Sequence, residues 1–304
     1  GLGDSFRYPS SGDHARADDM LSRLPQVVWA ADDLMRDPAS LPTLLLAEEA
    51  SQSMKVVFSG EGGDESFAGY GRYRTGAVER LFKSIAFPGT GGFRSRGDLR
   101  GGAARQLLGD KLMQVGRAWR GDLIESWQSY PTAWTPLQKM QALDLQHALP
   151  DNLLVKADRM LMAHGVEGRM PFVDRRVVSW GLAAADALKC DRREGKKILK
   201  SWASGFMPAE HFAAKKRGFY VPVNDWWRRD RLEVLGRVLT GNEAIREWFK
   251  PAGVEALLAE QRRSQRAGRQ LMTLLQFALW HRFFVESVTP ALPEVTDPLA
   301  LLSR

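Results

Sequence analysis

Lys55-Val-Val-Phe-Ser59-Gly60-Glu61-Gly62-Gly63-Asp64-Glu65-Ser-Phe-Ala-Gly69-Tyr70 constrains this chain more than any other stretch. Val56 to Phe58 form a short apolar run, and such a run before a glycine cluster reads as a buried strand of a parallel sheet. Gly60, Gly62 and Gly63 allow positive φ and close approach of a ligand. A helix opening at Asp64 would complete a strand, a turn and a helix N-terminus, where free N–H groups gather an anion. Three carboxylates, Glu61, Asp64 and Glu65, stand in the same turn. Acids facing a bare phosphate would repel it. The pattern therefore calls for a magnesium ion between them, or for one acid acting as proton acceptor. Two other glycine motifs are excluded. Glu65 takes the place of the third glycine of the dinucleotide fingerprint, and no Lys-Ser/Thr follows as in a Walker loop.

A second stretch, Asp151 to Asp174, is read as a helix capped by Asp151 or Asn152, with Leu154, Ala157 and Leu161 on its apolar face. Lys156, Asp158 and Arg159 crowd that helix with opposite charges. Beyond it, Glu167 and Arg169 suit the ammonium and carboxylate of an amino acid, since arginine grips a carboxylate bidentately. A basic turn, Lys215-Lys216-Arg217-Gly218-Phe219, is followed by Pro222 and reads as a tight loop that aims one lysine inward.

Most of the remaining chain has apolar spacing of three and four residues, so helices are expected at 76–87, 103–118, 121–129, 135–148, from Pro171 to Ala185, and through 225–285. Two more are expected within 20–53, the second starting at Asp37-Pro38. Trp119, Trp127, Trp134, Trp226 and Trp227 are read as core at helical spacing. Residues 1–19 form a polar lead-in, 20–288 the main domain, and 289–304, with three prolines, a loose tail. The net charge is +7 at pH 7. The basic residues are dispersed and no nucleic-acid-reading motif is present, so a phosphate-binding pocket explains the charge better than a nucleic-acid partner. The single cysteine, Cys190, leaves no internal disulfide framework and fits a reducing cytoplasm. No apolar run is long enough for a membrane span.

Three blocks in this order resemble the glutamine-hydrolysing asparagine synthetase family: Ser59 to Tyr70, Leu149 to Asp174, and Lys215 to Pro222. The resemblance runs over roughly residues 20 to 285 and implies an α/β fold. In that fold the edge of a nucleotide-binding parallel sheet, of the adenine nucleotide α-hydrolase (HUP-like) kind and incomplete on its N-terminal side, precedes a large helical part. It also implies ATP and magnesium, aspartate as acceptor, and ammonia from glutamine supplied by an N-terminal glutaminase domain. Neither that domain nor the family's Ser-Gly-Gly-x-Asp-Ser loop is found in this sequence, and the chain alone is expected to bind ATP weakly and make no asparagine. The chemistry implied is adenylation of the aspartate side chain, followed by displacement of AMP by ammonia. In that scheme Glu61 is the general base, Lys216 steadies the departing pyrophosphate, and Asp64 holds magnesium and pyrophosphate. Ser59, Gly60 and Gly62 line the nucleotide site, while Asp158, Glu167 and Arg169 bind substrate. A homodimer is compatible with the resemblance. Two alternatives stay open: a relative in which the substrate's own amine attacks to close a β-lactam or macrolactam, and a non-catalytic binding module.

Overall fold

In a computed structural model the structure describes residues 19–93, 101–208, 221–287 and 291–303. Two parallel strands, β1 (Val56–Phe58) and β2 (Glu167–Arg169), form the sheet among these residues, with Val56 opposite Glu167 and Phe58 opposite Arg169. Parallel neighbours need a long crossover, and here helices fill it. These run Gly63–Ser66, Ala77–Ala86, Gly101–Leu107, Asp110–Ser129 and Pro136–Leu143, then a π-helical stretch Asp144–Leu154 that continues into Val155–Met162.

Side chains alternate across a strand, and the two faces of this sheet differ. Val57 packs inward with Ala47, Leu161 and Val166. Val56 and Phe58 are 49% and 79% exposed, so β1 is not the buried strand its composition suggests. With two strands and no described layer over the outer face, the Val56 and Phe58 side chains have nothing to pack against.

The main core lies behind the sheet's inner side. Helix Val155–Met162 packs against Leu24–Ala31 and Ser40–Ser51, and Leu24–Ala31 packs in turn on Gly268–His281. Leu24, Leu41, Met160, Trp227, Leu235, Leu271 and Leu275 meet there, all at most 2% exposed. Burying each such side chain stabilises the fold by about 1.5–3 kcal/mol. A second cluster gathers Tyr73, Leu123, Tyr130, Leu137 and Leu143. Trp226 and Trp227 are buried as expected, and Trp127 and Trp134 pack half-buried on the second cluster, but Trp119 is exposed.

Several boundaries move for identifiable reasons. The expected break near residue 120 lies instead at Leu108–Gly109, before one unbroken helix of 20 residues, Asp110–Ser129. Leu108 bridges Phe249 there, and a Cβ at Gly109 would stand 2.7 Å from the Trp248 carbonyl oxygen. No cap forms at Asp151, because the wider π-helical turn carries the chain through Pro150 without interruption. An α-helix would set the proline ring against the carbonyl four residues back. After Pro171 a short 3-10 turn comes first, and the helix is Arg175–Ala183, capped by the Asp174 side chain. The tail is not wholly loose, since Pro298–Leu302 is helical, capped by Asp297, and buries Leu299 in the main core. No described helix is long and apolar enough to cross a membrane.

Candidate active site

The loop after β1 is closed by its own backbone. Ser59 N–H donates to the Arg169 carbonyl at 2.8 Å, Glu61 N–H donates to Ser59 Oγ at 3.3 Å, and Gly63 N–H reaches the Gly60 carbonyl at 3.3 Å. Gly62 has φ +85°, and a Cβ there would meet Val173 Cγ1 at 2.5 Å, so both conformation and space require glycine. The helix opens at Gly63 rather than Asp64 and closes at Ser66 after four residues. One turn sums few peptide dipoles, so charged side chains, more than a helix terminus, set the potential of this loop.

Glu61 faces a lysine from the following layer. Lys156 Nζ lies 3.7 Å from Glu61 Oε1 and 3.1 Å from Asp37 Oδ2, and the Lys156 side chain is 8% exposed. Asp37 is fixed in turn, because its other carboxylate oxygen accepts the Ala39 N–H at 3.1 Å at the start of helix Ser40–Ser51. Burial pushes the Glu61 pKa above the usual carboxylate value. Lys156 opposes the shift, and the charges of Asp37 and Asp64 add to it. A partly desolvated carboxylate beside a lysine suits a proton acceptor.

Asp64 is paired on the other side of the loop, with Lys196 Nζ at 3.1 Å from its Oδ1. The approach depends on glycine. A Cβ at Gly69 would lie 1.9 Å from Asp64 Oδ1 and 2.6 Å from Lys196 Cε, and one at Gly195 would lie 2.3 Å from the Ala68 carbonyl oxygen. Lys196 N–H donates to the Phe67 carbonyl at 3.1 Å. Ala68 and Lys196 both sit in the left-handed region, with φ 57° and 58°. That region costs an L-residue about 1–2 kcal/mol, so the surrounding contacts hold this junction in place.

Glu65, expected with the other two acids, turns away from the loop. It is 1% exposed and accepts the Tyr70 hydroxyl at 2.5 Å. Burial raises its pKa. Nearby, Asp144 accepts Arg72 Nη2 at 2.7 Å and the Tyr73 hydroxyl. Gln141 donates to the Glu65 and Ser66 carbonyls at 2.7 and 2.9 Å, and its Oε1 accepts Lys189 Nζ at 2.8 Å. Lys189 is fully buried, and desolvation lowers its pKa. These bonds anchor the far end of the glycine loop to helix Pro136–Leu143. Gln141→Leu should therefore destabilise the protein by about 1–3 kcal/mol for each buried group left unpaired, read by urea unfolding. A loss well under 1 kcal/mol would show that Gln141 does not anchor the loop.

The other expected site residues are spread more widely. Glu167 and Arg169 share the outer face of β2 with Val56 and Phe58 on β1, and pair with each other at 3.4 Å, both exposed. The Ser59–Arg169 backbone bond ties them to the glycine loop. Asp158 is exposed, roughly 200° around its helix from Lys156, and no described contact joins it to the loop. Lys215 and Lys216 lie outside the described residues. The sequence reading names Lys156 only as one of three crowded charges and Asp37 only as a helix start, and gives neither of them, nor Lys196, a role at the loop. A signal existed for Lys156, which falls on the stripe Ala157, Met160, Leu161 that the helix buries. For Lys196 there was none, since a left-handed lysine and a glycine junction far along the chain leave no periodicity to read.

Among the described residues no group of three or more His, Cys, Asp or Glu gathers that could hold a metal. Magnesium is commonly held by one or two carboxylates together with substrate phosphates. Asp64, a part-exposed carboxylate on a glycine loop, suits an ion that arrives with a nucleotide.

The family model for asparagine synthase matches residues 13–282. A Mycobacterium bovis protein provisionally named a glutamine-hydrolysing asparagine synthetase is 32% identical over 313 aligned positions, which cover 94% of this chain and 48% of that protein. Glutamine-hydrolysing asparagine synthetase 1 of Bacillus subtilis is 26% identical over 88% of this chain and 47% of its own length. An amidase of Penicillium rubens is 23% identical over 68% of this chain and 38% of its own. The chain spans about half the length of the asparagine synthetases it matches.

Proposed function

The chain belongs to the asparagine synthase family, and from that premise we propose that it carries the synthetase site for ATP-dependent conversion of aspartate to asparagine, with ammonia drawn from glutamine by a glutaminase domain. The observation that supports this most is the treatment of the loop's two acids. Glu61 and Asp64 are each met by a lysine delivered from a distant segment, Lys156 and Lys196.

A carboxylate is a poor acyl donor because its oxygen is a poor leaving group, so it must first be activated. In the scheme proposed, the aspartate side chain attacks the α-phosphorus of ATP, and pyrophosphate leaves. Negative charge grows on the leaving group, and a preorganised cation there lowers the barrier most. Lys216 is the proposed cation, and Asp64 the proposed holder of magnesium, which when bound would offset the same charge. Ammonia then attacks the acyl carbon and AMP departs. The nitrogen must lose a proton, and Glu61 takes it. Ser59, Gly60 and Gly62 line the nucleotide side. The Glu167–Arg169 pair offers opposite charges to the ammonium and α-carboxylate of aspartate. The two-stranded sheet and its glycine turn suit the edge of a HUP-like nucleotide domain.

Incubating the native polypeptide with magnesium-ATP, aspartate and ammonium salts tests this. Asparagine, AMP and pyrophosphate should appear in equal amounts. ADP and inorganic phosphate as the co-products would reject adenylation.

A further inference from the structure

We propose that the Lys196 ammonium is a phosphate-binding group of this site, placed to receive the pyrophosphate end of a nucleoside triphosphate. The proposal rests on the function proposed above and adds a residue to it.

Position comes first. Lys196 Nζ is 3.1 Å from Asp64 Oδ1 and would be 3.5 Å from a Cβ built on Gly63, so the ammonium stands directly beside the glycine loop. Its side chain is 30% exposed, within reach of a ligand in solvent. Lys156, the other lysine that meets the loop among the described residues, is buried between Asp37 and Glu61 and is engaged with both.

Delivery is specific. Lys197 is directed to Asp191 at 2.9 Å and Lys200 to Glu194 at 2.8 Å, so of three lysines in this stretch only Lys196 is sent to the loop. The chain does so through a left-handed backbone that glycine would adopt without strain, fixed by Gly195 against Ala68 and by the bond to Phe67.

Charge then decides the ligand. A phosphate approaching Glu61 and Asp64 would be repelled unless cations answer it. Lys196 is paired with Asp64, and it can exchange that carboxylate for phosphate oxygens once Asp64 engages a divalent cation. Lysine is a compact point charge with three donors, suited to phosphate.

Binding of magnesium pyrophosphate and, separately, of AMP to the native polypeptide by calorimetry tests the inference. A charge-assisted hydrogen bond contributes enough that its loss weakens binding by roughly 10- to 10²-fold. Lys196→Gly should lose that much affinity for magnesium pyrophosphate and keep AMP binding within about threefold. Its melting temperature should hold or rise, because φ 58° suits glycine. Lys196→Asn, which also tolerates this backbone, should repeat the loss, and Lys197→Ala should not. Unchanged pyrophosphate affinity in both Lys196 variants, or an equal loss for AMP, overturns the assignment. If the wild type binds neither ATP nor pyrophosphate, the proposed function fails first and the Lys196 role with it.

Discussion

Glu61→Gln should lower asparagine formation by the native polypeptide roughly 10²–10⁴-fold, the usual contribution of a positioned general base. Glutamine keeps the shape of the side chain and part of its hydrogen bonding but cannot take a proton. The effect should appear in turnover more than in aspartate affinity, because the base acts only as the nitrogen attacks. The wild-type pH profile carries a second signature. Glu61 works ionised, and burial, the largest influence on it, raises its pKa. Activity should therefore fall as pH drops through a value above the ordinary glutamate pKa of about 4.3. That acid limb should be missing from the residual activity of Glu61→Gln. Unchanged turnover in the variant would remove Glu61 from the mechanism.

Lys156→Met should destabilise the protein by about 3 kcal/mol, measured by denaturant unfolding at neutral pH. Removing one member of a buried ion pair costs about 3–5 kcal/mol, because the partner charge is left without compensation. Asp37 and Glu61 keep 24% and 26% exposure, which places the expected loss at the lower end. The deficit should depend on pH in a definite direction. Without Lys156 nothing at that position opposes the rise of the Glu61 pKa, so the folded variant takes up a proton at higher pH than the unfolded chain does. The penalty is then present above that raised pKa and shrinks as pH falls through it. The acid limb of any remaining activity should move to higher pH for the same reason. A stability equal to wild type at pH 7 would show that the contacts at 3.1 and 3.7 Å carry little energy.

The sequence made the loop legible because its information is local. A strand, glycines at 60, 62 and 63, and acids at 61 and 64 are chemistry written within a few residues, and Gly62 does adopt the positive φ expected of such a turn. Helix existence was legible for a similar reason, since periodicity at 76–87 and in 271–284 is read directly as a buried or amphipathic face. What failed was information held elsewhere in the chain. Glu65 sits beside Asp64 in sequence, but Tyr70 and Gln141 draw this segment inward. The break at Gly109 is set by Trp248, far along the chain. Lys156 reads as one of three charges crowded on a helix, and only the fold sets Asp37 and Glu61 on either side of it. Val56 and Phe58 have the composition of a buried strand, and their exposure follows from the two-strand sheet rather than from their own chemistry.

Activation of the aspartate carboxylate by adenylation is the step this loop is proposed to serve. Exchange of labelled pyrophosphate into ATP, catalysed by the native polypeptide with magnesium and no ammonia, tests that step by itself. Label should return to ATP only when aspartate is present, and Lys196→Gly should slow its return. No label in ATP with aspartate, in a preparation that nonetheless binds both ATP and aspartate, would rule out adenylation at this loop.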